Sequence, residues 1–426
     1  MMTMVAVVFV LAYTCIALEH YIKINKSASA LIAAGLMWTL YSFASPLGVE
    51  GVVHQLSEKL GETAAIVFFL ISAMTIVEVT DSHGGFEVIT SRIRTTKLRT
   101  LLWIIGFLSF YLSAILDNMT TTIVMVTLMR RLLKDHNQRL FFAGIIVIAA
   151  NAGGAWTPIG DVTTTMLWIG GQITTGNIMK GLWAASMVNM LVPLAIASFF
   201  IKGDVVPPDT VENGASACSR FEKTLMFFMG IGSLIFVPIF KSVTHLPPYL
   251  GILLALGVLW LTGNILHREK PSEAKEHLTL TKALKRIDMA SVVFFIGILL
   301  AVSTLSANGM LPSLAGWLDA ELGNQSLIVI CIGLASAVVD NIPLVAASMG
   351  MYPISQFPAD SYLWEFMAYA AGTGGSILII GSAAGVAAMG LEKIQFFWYA
   401  RRIGPLALAG YFAGIAAYIA QYRLLH

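Results

Sequence analysis

Long apolar runs separated by short polar punctuation dominate the chain. Runs of spanning length occupy 2–19, 28–46, 62–80, 181–201, 223–240, 247–262, 288–306 and 404–422, matching the roughly 17–25 residues that a transmembrane helix needs. Four further apolar stretches are interrupted, and the interruptions come in pairs. Ser113-Ala114-Ile115-Leu116-Asp117-Asn118 returns as Ser336-Ala337-Val338-Val339-Asp340-Asn341. Downstream of each lies a glycine-bracketed segment, Gly153-Gly154-Ala155-Trp156-Thr157-Pro158-Ile159-Gly160 and Gly374-Gly375-Ser376-Ile377-Leu378-Ile379-Ile380-Gly381. Carboxylates and helix breakers are costly in a bilayer unless they face protein or water, so a duplicated set reads as a binding site. The predicted fold class is an all-α polytopic membrane protein with inverted repeats, each holding a re-entrant hairpin and a broken helix.

Composition agrees. The chain has 57% hydrophobic and 12% charged residues, against about 25% charge in soluble domains. Cys15, Cys218 and Cys331 are isolated, without metal or disulfide spacing. Nothing points to nucleic acid or a cofactor. The stretch from Met1 to Leu18 lacks a basic n-region and reads as a retained first span.

Placement of the basic residues sets orientation. Clusters at 23–26, 92–99, 130–139, 202–223, 268–286 and 393–402 belong in the cytoplasm under the positive-inside rule. The hairpin 101–131 then begins and ends on the cytoplasmic side. Its counterpart, 326–351, is flanked by Asp319, Glu321, Asp360 and Glu365 and should enter from outside. The expected organisation is scaffold spans over 1–61, repeat 1 over 62–201 and scaffold spans with loops over 202–287. Repeat 2 follows over 288–426, with broken helices at 139–169 and 361–390. The loops 203–222 and 263–287 read as connectors.

Asp117 and Asp340 each precede a fresh helical arm, where an N-cap alone would explain them locally. A cap does not explain a carboxylate deep in apolar sequence, twice. Around Pro158 stand Asn151, Thr157, Asp161, Thr163, Thr164 and Thr165. Freed carbonyls, hydroxyls and a carboxylate suit a hard cation, although threonines bonded to their own backbone in a kinked helix are the bland reading. In the second copy Ser376 and Ser382 are the main polar groups, and Ser382 stands where Asp161 stands. Glu78 reads either as a proton carrier or as an interfacial acid. His83 reads as a loop histidine, while His20, His54, His136, His245, His267, His277 and His426 fall at ends or loops and carry no role.

The order of hairpin Asp-Asn, then Gly-Gly-x-x-Thr-Pro-Ile-Gly-Asp-Val-Thr-Thr, then a second Asp-Asn-Ile-Pro resembles the ion transporter superfamily. Asp117 to Thr122 and Trp156 to Thr165 resemble the NhaD-type sodium/proton antiporters, over most of the chain from about residue 60 onward. That resemblance implies a homodimer with elevator-like transport domains in a bacterial inner membrane. It implies exchange of Na⁺ or Li⁺ for H⁺. The ion-binding set would be Asp117, Asn118, Asn151, Thr157, Asp161, Thr163, Thr164, Asp340, Asn341, Ser376 and Ser382, with Na⁺ on Asp117, Asn118, Asp161 and Asn341. Protons would pass by Glu78, Asp117 and Asp161. Arsenite permeases share the Asp-Asn hairpins, so an arsenite or other anion permease is the alternative. An intramembrane aspartyl protease is the remote one: Leu116 precedes Asp117 and Pro158 occupies the first glycine of its Gly-x-Gly-Asp pattern.

Overall fold

The computed structural model describes residues 2–425 apart from 18, 91, 92, 94, 206–217, 269–277 and 339. Arg92, Arg94, His277, His426, the interiors of both connector loops and the side chain of His20 lie outside the described residues. The helices are α1 Met2–Ala17, α2 Glu19–Ile22, α3 Lys26–Ala44, α4 Gly48–Ser82, α5 Glu87–Thr90, α6 Leu98–Leu116, α7 Asn118–Leu132, α8 His136–Gly154, α9 Val162–Ile169 and α10 Thr175–Phe200. They continue as α11 Arg220–Thr244, α12 Pro248–Leu266, α13 Leu280–Arg286, α14 Met289–Ala307, α15 Met310–Leu322, α16 Gln325–Ala335, α17 Asn341–Met351, α18 Tyr362–Gly374, α19 Ala383–Glu392, α20 Phe396–Arg402 and α21 Gly404–Leu425. Among the described residues no strand forms, and 7 helices are long and apolar enough to cross a membrane, or up to 9 if each bent pair counts once.

Two departures from the hydropathy reading have simple causes. The run at 62–80 is the C-terminal part of α4, a single helix of 35 residues. At about 1.5 Å per residue it is far longer than the bilayer core. Glu50, His54, Gln55, Glu58 and Lys59 hide its first turns from an apolar scan without breaking the helix. Helix α15 was also missed; it bends by 116° into α16.

Side-chain contacts define two ends of the bundle. At one, Arg130 Nε donates to Glu392 Oε1 at 2.7 Å and Arg139 Nε to Oε2 at 3.3 Å, joining the end of α7, the start of α8 and the end of α19. Leu98 N, opening α6, donates to Gly203 O just after α10. Near it Glu87 pairs with Lys223 at 2.5 Å and Arg131 at 3.8 Å. At the opposite end Asp360 accepts from Thr174 N at 2.6 Å, joining the segments that open α10 and α18. Ser326, near the start of α16, meets the Tyr362 hydroxyl at 2.8 Å. Met349, near the end of α17, lies against Gly170, just past α9.

The outer ends of α6 and α7 therefore gather at the basic end, and those of α16 and α17 at the other. Helix α8 runs inward from the basic end and α9 continues outward; α18 and α19 run in the reverse sense. The inner ends lock by backbone approach. A Cβ on Gly153 would overlap the carbonyl oxygen of Phe110, and one on Gly374 would overlap that of Gly333. Phe110 and Gly333 stand the same distance before Asp117 and Asp340, so the two pairs of elements pack alike.

Candidate ion site at the meeting of four helix starts

Helices α7, α9, α17 and α19 all begin in the interior, and each begins on a polar cap. Asp117 accepts from Thr120 N and Thr120 Oγ1, both at 2.8 Å. Asp161 Oδ1 accepts from Thr163 N at 2.9 Å and from its hydroxyl at 3.0 Å. Asp340 accepts from Ile342 N at 3.4 Å, and Ser382 from Gly385 N at 3.2 Å. Unpaired amides and the helix dipole at such starts favour oxygen atoms; the capping role read from the sequence for Asp117 and Asp340 is present, and Asp161 and Ser382 cap as well. Asp117 does more than cap. Its φ of 100° is a backbone state that costs a non-glycine residue about 1–3 kcal/mol and persists only where surroundings impose it.

From Asp161 a chain of buried hydrogen bonds crosses the interior. Asn118 Nδ2 donates to Asp161 Oδ2 at 2.6 Å and to Asn151 Oδ1 at 2.9 Å. Asn151 Nδ2 donates to Ser376 Oγ at 2.8 Å and Ser382 Oγ at 2.9 Å. Asn118, Asn151, Asp161, Ser376 and Ser382 are all buried. One network thus joins the first hairpin to both broken helices. A fully satisfied buried network holds its members in one arrangement.

The remaining expected ligands divide. Thr157 donates to Ala114 O at 2.6 Å and Thr164 to Asp161 O at 2.9 Å, so these hydroxyls hold the unwound segment. Thr165 does likewise at Pro158 O, 3.0 Å away. For Thr164 and Thr165 this is the local backbone bonding named above as the bland alternative, whereas Thr157 ties the segment to α6. Asn341 is buried at the first residue of α17. Asp340 is not drawn into the Asp161 network: its Oδ2 lies 3.0 Å from Lys26 Nζ.

A cleft lined by Glu78, Asp81, Asp117, Thr120, Asp161 and Arg286 leads to the site. Glu78 is 3.4 Å from Arg286. Asp117 and Asp161 both line this cleft. Lys26 and Arg286 were missed as partners, because the sequence shows them only as members of orienting basic clusters. His83 is buried and its Nε2 lies 2.7 Å from that of His267; no periodicity signals a contact between residues 184 positions apart.

The fold and this site define a polytopic membrane transport protein rather than an enzyme. A profile of the citrate transporter family matches residues 4–372. Sodium/proton antiporters 1 and 2 of Arabidopsis thaliana are 50% and 47% identical to the chain, each across 98% of it and across 72% and 99% of the relative. The Na(+)/H(+) antiporter NhaD of Vibrio cholerae is 31% identical, across 97% of the chain and 90% of the relative. The chain belongs to the citrate transporter family, among its NhaD-type antiporters. Its relatives include plant and bacterial proteins, so membership does not carry the bacterial membrane expected from the sequence.

Proposed function

We propose that the chain is a secondary transporter exchanging Na⁺ or Li⁺ for H⁺, the two competing for Asp161 and Asp117. The observation that carries this is Asp161, a buried carboxylate with no described basic side chain bonded to it, in a cleft shared with Asp117. A buried carboxylate without a fixed countercharge calls for a mobile one. A proton or a small hard cation serves, and arrival of one displaces the other. Asn118, Asn151, Ser376 and Ser382 orient the acid, while the carbonyls near Pro158 add oxygen. Two carboxylates at the site oppose citrate or any other anion as cargo; arsenite, carried near neutral pH as uncharged arsenous acid, is separated by the transport test below.

In this reading the hairpins α6–α7 and α16–α17 are re-entrant, and repeats 62–201 and 288–426 are inverted. The gathering of hairpin ends at opposite ends of the bundle supports it. The basic end, with Arg130, Arg131, Arg139 and Lys223, is cytoplasmic by the positive-inside rule, and Glu78 lies on the proton route from that side. A homodimer with mobile transport domains completes the proposal.

The test is proton release on Na⁺ binding to purified protein in weak buffer. Na⁺ should release protons and bind more weakly as pH falls, since protons occupy the same carboxylates. Tight Na⁺ binding without proton release between about pH 6 and 9, where a competing carboxylate must titrate, overturns the proposal. Arsenite uptake into vesicles without Na⁺-driven proton flux would turn it to the anion alternative.

A further inference from the structure

Of the interior caps, Asp117, Asp161 and Asp340 are acids and Ser382 is neutral. Only one of these acids has a basic side chain bonded to it among the described contacts. Lys26, the first residue of α3, reaches Asp340 Oδ2 at 3.0 Å, with side chains 22% and 10% exposed. Its Nζ also lies 4.4 Å from the centre of the Phe294 ring on α14, an added attraction for a cation. The lysine's placement is built in. Asn25 caps α3 by accepting from Ser27 N at 2.8 Å, and Glu19 accepts from the Lys26 backbone N at 3.1 Å. Glu19 and Asp288 act on Lys26, the buried Tyr13 hydroxyl of α1 is within electrostatic reach of Asp340, and so is Asp161.

We infer that Lys26 is a fixed countercharge that withdraws Asp340 from the ion cycle, leaving exchange to Asp117 and Asp161. The inference rests on the exchange reading above and sharpens it by setting how many carboxylates take part. A third acid in reach of Asp161 would add a negative charge to the interior in every state, and that charge would have to be met by another proton or cation in each cycle. A lysine on the end of a neighbouring helix meets it permanently. The duplicated motif at 340 is thus retained as a helix cap, while its charge is cancelled from another part of the chain. Breaking one side of a buried pair strands the other charge, whereas removing both is often close to neutral.

Carbodiimide labelling read by mass spectrometry tests the pair without relying on transport, because the reagent modifies protonated buried carboxyls. Asp340 should stay unmodified in the unaltered protein and in Lys26→Arg, and become modified in Lys26→Met. Labelling of Asp340 in the unaltered protein, or its absence in Lys26→Met, overturns the pairing.

The cycle is tested in liposomes by the Na⁺ gradient that just balances a set pH gradient. Lys26→Met should raise the number of protons per sodium by about one, for the one carboxylate released, and Lys26→Arg should leave it unchanged. Lys26→Met/Asp340→Asn should return to the original ratio; this variant also serves if Lys26→Met fails to accumulate. A folded double variant that no longer exchanges overturns the inference, because Asp340 would then be a ligand. An unchanged ratio in Lys26→Met overturns it too. Liposomes of the unaltered protein without Na⁺-driven proton flux would instead defeat the exchange reading, and the labelling would still decide the pair.

Discussion

Asn151 on the first broken helix donates to Ser382 on the second at 2.9 Å, so beside Asp161 the two halves of the chain meet through an amide and a hydroxyl rather than through two charges. The acidic weight falls on one half, at Asp161, and the other half supplies neutral oxygen. This asymmetry sets the ranking of substitutions.

Asp161→Asn keeps the shape of the site and removes its charge. Exchange should fall below detection and Na⁺ affinity by roughly 100-fold or more, corresponding to loss of a charged partner worth about 3 kcal/mol. Isotopic Na⁺ binding and vesicle exchange check this, with elution as a monodisperse species showing that the protein still folds.

Asn151→Ala should cost stability as well as transport. It takes one partner from Asn118, which keeps Asp161, and one from Ser382, which keeps Gly385 N, and it removes the described partner of the Ser376 hydroxyl, at about 1–3 kcal/mol for a buried group left unsatisfied. Ser382→Ala removes one bond and a cap of about 1 kcal/mol, so it should weaken apparent Na⁺ affinity while exchange continues. Melting in detergent beside exchange assays should place Asn151→Ala well below Ser382→Ala in both measures.

Gly153→Ala forces a methyl into the carbonyl of Phe110 and must push the first hairpin away from α8. Loss of exchange and a lowered melting temperature are expected. Gly390→Ala, on α19 with open space around it, is the matched control and should be neutral or slightly stabilising, by about 0.5–1 kcal/mol.

Glu392→Gln removes the carboxylate that gathers Arg130, Arg139 and His136 at 2.7, 3.3 and 3.5 Å. The carboxylate side chain is only 2% exposed, so its neutral replacement leaves two arginines and a histidine gathered around a buried position with no countercharge. The expected outcome is a lower melting temperature with Na⁺ affinity per folded molecule unchanged. An affinity loss without a stability loss would place Glu392 on the ion's route.

Single cysteines introduced after replacement of Cys15, Cys218 and Cys331 test the hairpins. Thr95 and Asn137 flank the first, and Gln325 and Gln356 flank the second. Impermeant reagent should reach the first pair from the cytoplasm only and the second pair from outside only. Flanks of either hairpin labelling from opposite sides would make that segment an ordinary span.

Much of this was legible because the chain says it twice. The repeated Ser-Ala-x-x-Asp-Asn and the paired glycines located three of the interior caps, at Asp117, Asp340 and Ser382, and the threonine-rich run after Pro158 located Asp161. Hydropathy placed α11, α12, α14 and α21 within a few residues, since a long apolar helix with capped ends carries its bounds locally. What escaped was long-range pairing. Lys26 and Asp340 are 314 positions apart, and a lysine beside a span looks the same whether it meets water or a carboxylate. Glu392 with Arg130 and His83 with His267 escaped for the same reason. The length of α4 escaped because its polar first turns resemble a loop to any hydropathy scan.

A transport site assembled at helix starts, instead of along helix flanks, separates cargo from scaffold. Each cap is one residue deep, and Asp, Asn and Ser cap a helix about equally well, so exchanging one for another leaves the helix behind it standing. In the exchange reading the sign and number of charges presented to the cargo can be rewritten at Asp117, Asp161 and Ser382, while a change at Asp340 must be matched at Lys26. Such a frame is a socket whose contacts can be swapped one at a time, a physical route by which relatives of one architecture can carry cargoes of opposite charge.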